Sequence, residues 1–334
     1  MERLIDEQGR PQFGWLREPV GRVNYMDFDL RSPMDRSQSR WRRRMAFNQF
    51  QFIGIPGQHW TAGVAIVDLK WLSNAFFYVY DHVERRLLEH SLLQPLGWGT
   101  QMDNRPDQGL ALFRQGRTEV AIRPLAGRRH IRIRHGKDID WDLVVSVPPP
   151  EATLRVCSPA GYSGWSYTQK DNGLDVEGAI RWGDRRFEVM PEQRASIDWS
   201  AGFMRRETAW NWASLSGVAD GLPVGLNLAT GVNESGVTEN AIWLDGQLHK
   251  VGQARFEFNR FDRSSPWVVT SSDGRVDLRF EPEGYRSERT NALLIATNFR
   301  QFYGRFYGRL TTGGGETVAV DGLPGFMEDH YARW

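Results

Sequence analysis

The stretch Ala241-Ile242-Trp243-Leu244-Asp245-Gly246-Gln247-Leu248-His249-Lys250-Val251 decides the class of fold. Two runs of strand length flank an Asp-Gly pair, and Asp-Gly supplies the positive φ angles that a tight hairpin turn requires. The same form returns at Ser272-Asp273-Gly274-Arg275. Beyond it, Val276-Asp277-Leu278-Arg279-Phe280 alternates apolar and charged side chains, as Ile131-Arg132-Ile133-Arg134 does far upstream. Period two places the two sets on opposite faces, so these segments predict half-buried strands. Phe76–Asp81, Leu143–Val147 and Trp165–Lys170 add aromatic or β-branched runs, and Asp171-Asn172-Gly173 and Gly183-Asp184 mark turns between them. His82–Leu93 is the best candidate for an amphipathic helix, but it reads equally well as a hairpin arm. The expected class is all-β with few short helices.

The chain has 334 residues, enough for two domains or one large β domain, and enough to build a core without disulfide or metal staples. Its 42 basic and 41 acidic side chains nearly cancel, which excludes a strongly basic nucleic-acid binder. Arg31–Arg44 and Arg114–Lys137 are locally basic, and the alternation at Ile131–Arg134 favours reading such runs as solvated strand faces. A single cysteine, Cys157, excludes a disulfide framework and fits a reducing compartment. Apolar runs such as Thr61–Val67 are far shorter than the roughly 20 residues of a membrane helix, and the first residues lack a signal-peptide layout. A cytoplasmic protein without integral membrane contact is expected. Boundary candidates are Val147-Pro148-Pro149-Pro150, whose prolines remove ladder donors, and Pro191–Ser196.

Familiar catalytic signatures are missing. There is no phosphate-binding glycine loop, no dinucleotide fingerprint and no nucleophile elbow. His130 and His135 are five apart in a strand and point to opposite faces, so they cannot share a metal. No metal or other cofactor is expected. What remains is a set of polar residues placed among tryptophans. Seven of the 14 tryptophans lie between residues 165 and 267, the span that also holds Lys170, Asp198, Arg205, Asn227 and Glu239. If these segments are strands, Asp198, Trp210, Trp212, Asn227 and Glu239 converge in a barrel interior. A carboxyl group enclosed by tryptophans has its charged form disfavoured and can act as a general acid near neutrality. The terminal Gly325-Phe326-Met327-Glu328-Asp329-His330-Tyr331-Ala332-Arg333-Trp334 concentrates chemistry-bearing side chains where chain ends are usually bland.

Gln8–Trp15, Trp165–Lys170, Asp198–Gly202, Trp210–Ala213, Asn227, Thr238–Asn240, Val276–Pro282 and Gly325–Trp334 resemble a bacterial and fungal family, the domain of unknown function numbered 2804. More distantly, Asp198-Trp199-x-x-Gly202 ahead of Trp210-Asn211-Trp212 is similar to the lipocalin-like group containing carotenoid 1,2-hydratase, the AttH proteins and tocopherol cyclase. That group carries Asp-His-x-Trp-Gly before Trp-x-Trp; here the histidine after the aspartate is absent. The resemblance implies two packed lipocalin-like β-barrel or sandwich domains, expected at 1–195 and 196–334. It also implies cofactor-free proton chemistry on isoprenoid-like or polycyclic molecules.

The leading expectation is a cofactor-independent hydratase, isomerase or cyclase acting on a hydrophobic small molecule. Asp198, Glu239, Glu328 and His330 are the candidate catalytic residues. Trp199, Arg205, Trp210, Trp212, Asn227, Lys170 and Tyr331 are the candidates for binding substrate. Two alternatives stand beside it: a non-catalytic lipid or pigment carrier, and a glycoside hydrolase using paired carboxylates. The sequence specifies no oligomeric state.

Overall fold

The computed structural model describes residues 1–232, 236–292 and 295–333; Trp334, the last residue of the terminal motif, lies outside them. Strands account for 63% of the structure and helix for 4%, as the period-two patterning predicts. Among the described residues the α-helical part is Arg40–Ala46, whose first turn is capped by Ser39 accepting from the Arg42 N–H. Four of the arginines in the basic run 31–44 therefore sit on a short helix rather than a strand, and most of them are exposed. His82–Leu93 is not a helix either. Leu72–Asp81 and Arg86–Pro95 pair as a hairpin.

The strands form two curled antiparallel sheets, each a half-barrel, as expected of two lipocalin-like units. In spatial order the first sheet runs Arg86–Pro95, Leu72–Asp81, Trp60–Asp68, Asn48–Ile55, Arg194–Phe203, Gly164–Trp182, Ile139–Ser146, Arg128–His135, Thr118–Leu125, Ala111–Gln115 and Thr100–Met102. The second runs Gln247–Lys250, Ala241–Leu244, Leu222–Thr230, Glu207–Ala219, Thr317–Arg333, Ile295–Thr311, Val276–Ala292, Trp267–Ser271 and Ala254–Glu257. The change of sheet falls between Phe203 and Glu207. The strand Arg194–Phe203 pairs with Asn48–Ile55 and Gly164–Trp182, so both proline-rich boundary candidates lie within the first sheet.

Each half-barrel has its own core. Ile53, Phe77, Ile133 and Trp141 belong to the first; Leu226, Trp267, Phe280 and Phe306 belong to the second. A further layer lies between the sheets, where Phe52, Tyr78 and Tyr80 meet Trp212, Tyr303 and Phe326. The strand Asn48–Ile55 is consequently buried on both faces, which explains why its apolar pattern is almost continuous. Glycine permits the approach: a Cβ on Gly54 would lie 2.7 Å from the Phe326 ring, and one on Gly284 would lie 2.3 Å from Tyr80.

Asp171-Asn172-Gly173, which reads as a turn, is instead a bulge within the 19-residue strand Gly164–Trp182. Gly173 takes a positive φ there, and Asn172 reaches the second sheet. Its side-chain amide donates to Ser214 Oγ at 2.7 Å and to the Leu226 carbonyl at 2.8 Å. The Trp243 indole donates to the Ala152 carbonyl at 2.6 Å. These bonds satisfy buried polar groups and pin one sheet to the other. Among the described residues, no helix is long and apolar enough to cross a membrane.

Candidate active site

A cavity of about 270 Å³ opens between the two sheets, not inside either half-barrel as the sequence suggested. The first sheet contributes Phe50, Phe52, Phe76, Thr168, Lys170 and Asp198; the second contributes Trp210, Trp212, Arg286, Phe299, Glu328 and His330. Glu239, Arg205 and Ser200 also line it. The two clusters expected from sequence, one around Asp198 and one near the C-terminus, thus share one space.

Strand alternation decides which neighbours reach that space. Asp198 and Ser200 face the cavity, whereas Trp199 points to the other face and packs edge-on against Tyr167, 5.9 Å away. It sits in a core with Leu4, Val20 and Phe203, so it does not touch the cavity. Glu328 and His330 face the cavity, and Tyr331, the next residue along the strand, does not. Asn227 is one step removed. Its side chain accepts from the Trp212 indole at 2.8 Å and donates to the Glu239 carbonyl at 2.7 Å, fixing two cavity residues without lining the space. Arg205 reaches the lining, and its guanidinium donates to the Gly231 carbonyl at 2.6 Å. Trp165, Trp199, Trp243 and Trp267 of the tryptophan-rich span are core; Trp210 and Trp212 are the indoles that face the cavity among the described residues.

The wall from the first sheet is ionic. Lys170 and Asp198 are register partners on adjacent strands, and the ammonium is hydrogen-bonded to Asp198 Oδ2. Glu239 Oε2 lies 3.3 Å from the same nitrogen. Burial works against the charge of Lys170, but Asp198 and then Glu239 outweigh it and hold its pKa above the ordinary lysine range. Ser200 Oγ donates to Asp198 Oδ1 at 3.1 Å, and Thr168 bonds Ser200 at 2.8 Å. The cation beside the carboxylates is therefore a lysine with its charge sealed in, not an arginine and not a free amine.

The opposite wall holds a carboxyl group with no cation bonded to it. Pairing across three strands places Trp212 and Gln301 beside Glu328, and Trp210 and Phe299 beside His330. Gln301 donates to Glu328 Oε1 at 2.7 Å and the Trp210 indole to Oε2 at 3.3 Å. Burial pushes Glu328 up to about 7; the two hydrogen bonds and Lys170 pull against burial, and the charge of Asp198 adds to it. His330 is pushed down to about 3, first by burial and then by the Arg286 charge. Its Nε2 lies 3.0 Å from Thr297 Oγ1, and its ring lies 4.0 Å from Trp210. Thr297, Gln301 and Arg286 were not anticipated. They sit on strands far from the terminal motif in sequence, and no local signal separates Arg286 from the other charges of Tyr285-Arg286-Ser287-Glu288-Arg289.

His135 meets His90, with ring centroids 4.3 Å apart, while His130 pairs with Asp142 at 2.8 Å on the other face. No group of three or more His, Cys, Asp or Glu side chains among the described residues could hold an ion.

Two curled antiparallel sheets with a largely apolar cavity between them define a lipocalin-like β fold. The match to the model of the domain of unknown function DUF2804 spans residues 1–334, and the chain belongs to that family. Among solved structures it is similar to a putative AttH from Nitrosomonas europaea, at 15% identity and a TM-score of 0.53, covering 85% of this chain and 91% of that one. It is also similar to CghA, at 12% identity and a TM-score of 0.51, covering 98% of this chain and 96% of that one. A kievitone hydratase from Nectria haematococca aligns at 9% identity and a TM-score of 0.48, covering 96% and 98%. At these identities the likeness to the first two speaks for the fold alone. A comparison with curated proteins found no match.

Proposed function

We propose that the protein is a cofactor-independent acid–base enzyme of the hydratase, isomerase or cyclase type, acting on a hydrophobic small molecule held between the sheets. One observation carries this reading. Glu328, held close to neutrality in its proton affinity, faces the ion-paired Asp198 and Glu239 across a single aromatic-walled cavity. Environments that separate the proton affinities of two carboxyl groups assign one as acid and the other as base.

In the addition of water to a double bond, Glu328 gives its proton to one carbon. The water that adds to the neighbouring carbon loses a proton to the Asp198 carboxylate. Solvent then returns a proton to Glu328 and removes one from Asp198. Trp210 and Trp212 present indole faces that favour a cationic intermediate, and the Lys170–Asp198–Glu239 group, with two carboxylates on one ammonium, adds net negative charge.

The second reading is a lipid or pigment carrier, favoured by the largely aromatic and aliphatic lining. The sugar-cleaving alternative calls for an open cleft between its carboxyl groups, which an apolar space between two sheets supports less well. Native mass spectrometry of the purified protein identifies a retained ligand, and incubating that ligand with protein in D₂O separates the readings. An enzyme converts it or places deuterium on its carbon skeleton, and Glu328→Gln binds it but slows this by about 10²- to 10⁴-fold. Binding without conversion or exchange in the native protein would leave the carrier.

A further inference from the structure

Among the described residues at the cavity, Arg286 Nη1 and His330 Nδ1 are buried with no hydrogen-bond partner, whereas Glu239 Oε2, also without one, lies 3.3 Å from the Lys170 ammonium. Arg286 is 3% exposed. Its guanidinium lies 4.1 Å from the Phe76 ring centre and 5.1 Å from that of Phe299. Aromatic faces stabilise a cation above or below the ring, but the in-plane N–H groups of a guanidinium still require acceptors. One is provided: Arg286 Nε lies 3.2 Å from Glu89 Oε2. The other acids of the cavity do not serve. Asp198 and Glu239 are held by Lys170, Glu328 by Gln301 and Trp210, and Glu288 forms no ion pair among the described residues. A buried donor on a cation is costly to leave unpaired.

His330 packs on the same Phe299, its ring centroid 4.8 Å away. Burial and the Arg286 charge keep its imidazole neutral. His330 Nε2 and Thr297 Oγ1 share one hydrogen bond; in the tautomer where the threonine hydroxyl donates, the ring proton sits on Nδ1, which then needs an acceptor as well. Two donors around one aromatic ring, one of them a cation, match a negatively charged oxygen.

We propose that Arg286 and His330 Nδ1 form a subsite for an ionised oxygen of the ligand, a carboxylate, enolate or phenolate, so that the molecule taken between the sheets is an apolar organic acid. This rests on reading the cavity as the ligand site. The apolar body lies against Phe50, Phe52 and Trp212, and the acidic oxygen replaces water at Arg286. The polarity of the ligand is thereby fixed: one charged end at Phe299 and a hydrophobic remainder.

Isothermal titration of the full chain with naphthalene-2-acetate and with the isosteric 2-(2-naphthyl)ethanol tests the subsite. The acid should bind at least about tenfold more tightly than the alcohol, as a charge-assisted hydrogen bond requires. Arg286→Met combined with Glu89→Gln, which removes both partners of the ion pair and so avoids a stranded charge, should reduce that preference to about one. Arg286→Lys should retain part of it. Equal affinities in the native protein, no measurable binding of the acid, or a preference that survives in the double variant would overturn the subsite. Glu328→Gln separates this from the catalytic reading. The subsite requires the acid preference to persist in that variant, whatever happens to turnover. Loss of turnover in Glu328→Gln alongside equal affinities in the native protein would leave the acid–base reading standing without the subsite.

Discussion

Asp198 and Glu328 look into the same cavity from opposite sheets, and their surroundings could hardly differ more. Asp198 accepts from a buried ammonium and a hydroxyl. Glu328 accepts from an indole and a carboxamide, neither of which carries charge. Burial is common to both walls; the difference lies in whether a full positive charge is bonded to the carboxyl group. Residue type thus does not set what bonds a cavity carboxyl group here. Neighbouring strands do, by the register that puts Lys170 beside Asp198 and Gln301 beside Glu328.

The contrast breaks most severely at Lys170. Lys170→Met leaves Asp198 and Glu239 facing each other without their cation, and should lower the unfolding free energy by about 3–5 kcal/mol in denaturant titration. Adding Asp198→Asn and Glu239→Gln should restore most of the loss, because the stranded charges are then gone. A single variant as stable as the native protein would mean the ammonium is not what holds this wall together.

Glu328 supplies a smaller effect of opposite character. Its folded-state pKa, about 7, lies above the ordinary 4.5. Between those values the unfolded chain releases the proton first, so this group destabilises the fold as pH rises through the window. The loss is fully present above about 7 and absent below about 4.5. Glu328→Gln removes the penalty. Its stability relative to the native protein should therefore improve by on the order of 2–3 kcal/mol between pH 4.5 and 7. Asp171, pushed up to about 7 by burial, has the same sign in both proteins and cancels from the difference. A difference that does not change with pH would mean that Glu328 keeps one protonation state across this window.

Asn227 sharpens the comparison from behind the walls. Asn227→Ala leaves the Trp212 indole N–H and the Glu239 carbonyl without a partner, at about 1–3 kcal/mol in thermal or chemical unfolding. Asn227→Asp keeps the acceptor for Trp212 but loses the donor to Glu239. It should also destabilise the fold, which distinguishes a two-sided bracket from a simple indole acceptor.

The amino-acid sequence by itself determined the all-β class, through period-two alternation at Ile131–Arg134 and Val276–Phe280 and the hairpin form around Asp245-Gly246. It also singled out Lys170, Asp198, Glu239, Glu328 and His330, because charged side chains beside aromatic residues stand out in a strand. Alternation was legible, but which face turned toward the cavity was not. Trp199 and Tyr331 adjoin cavity residues and point away from it, since consecutive side chains emerge on opposite sides of a strand.

Tertiary structure alone decided that the two curled sheets meet and leave the cavity between them. Arg286, Thr297 and Gln301 gained their places there through pairing of the long strands Val276–Ala292, Ile295–Thr311 and Thr317–Arg333. A strand's own sequence encodes its two faces; what lies opposite each face, and therefore the charge state of a buried carboxyl group, is set by chain segments up to hundreds of residues away.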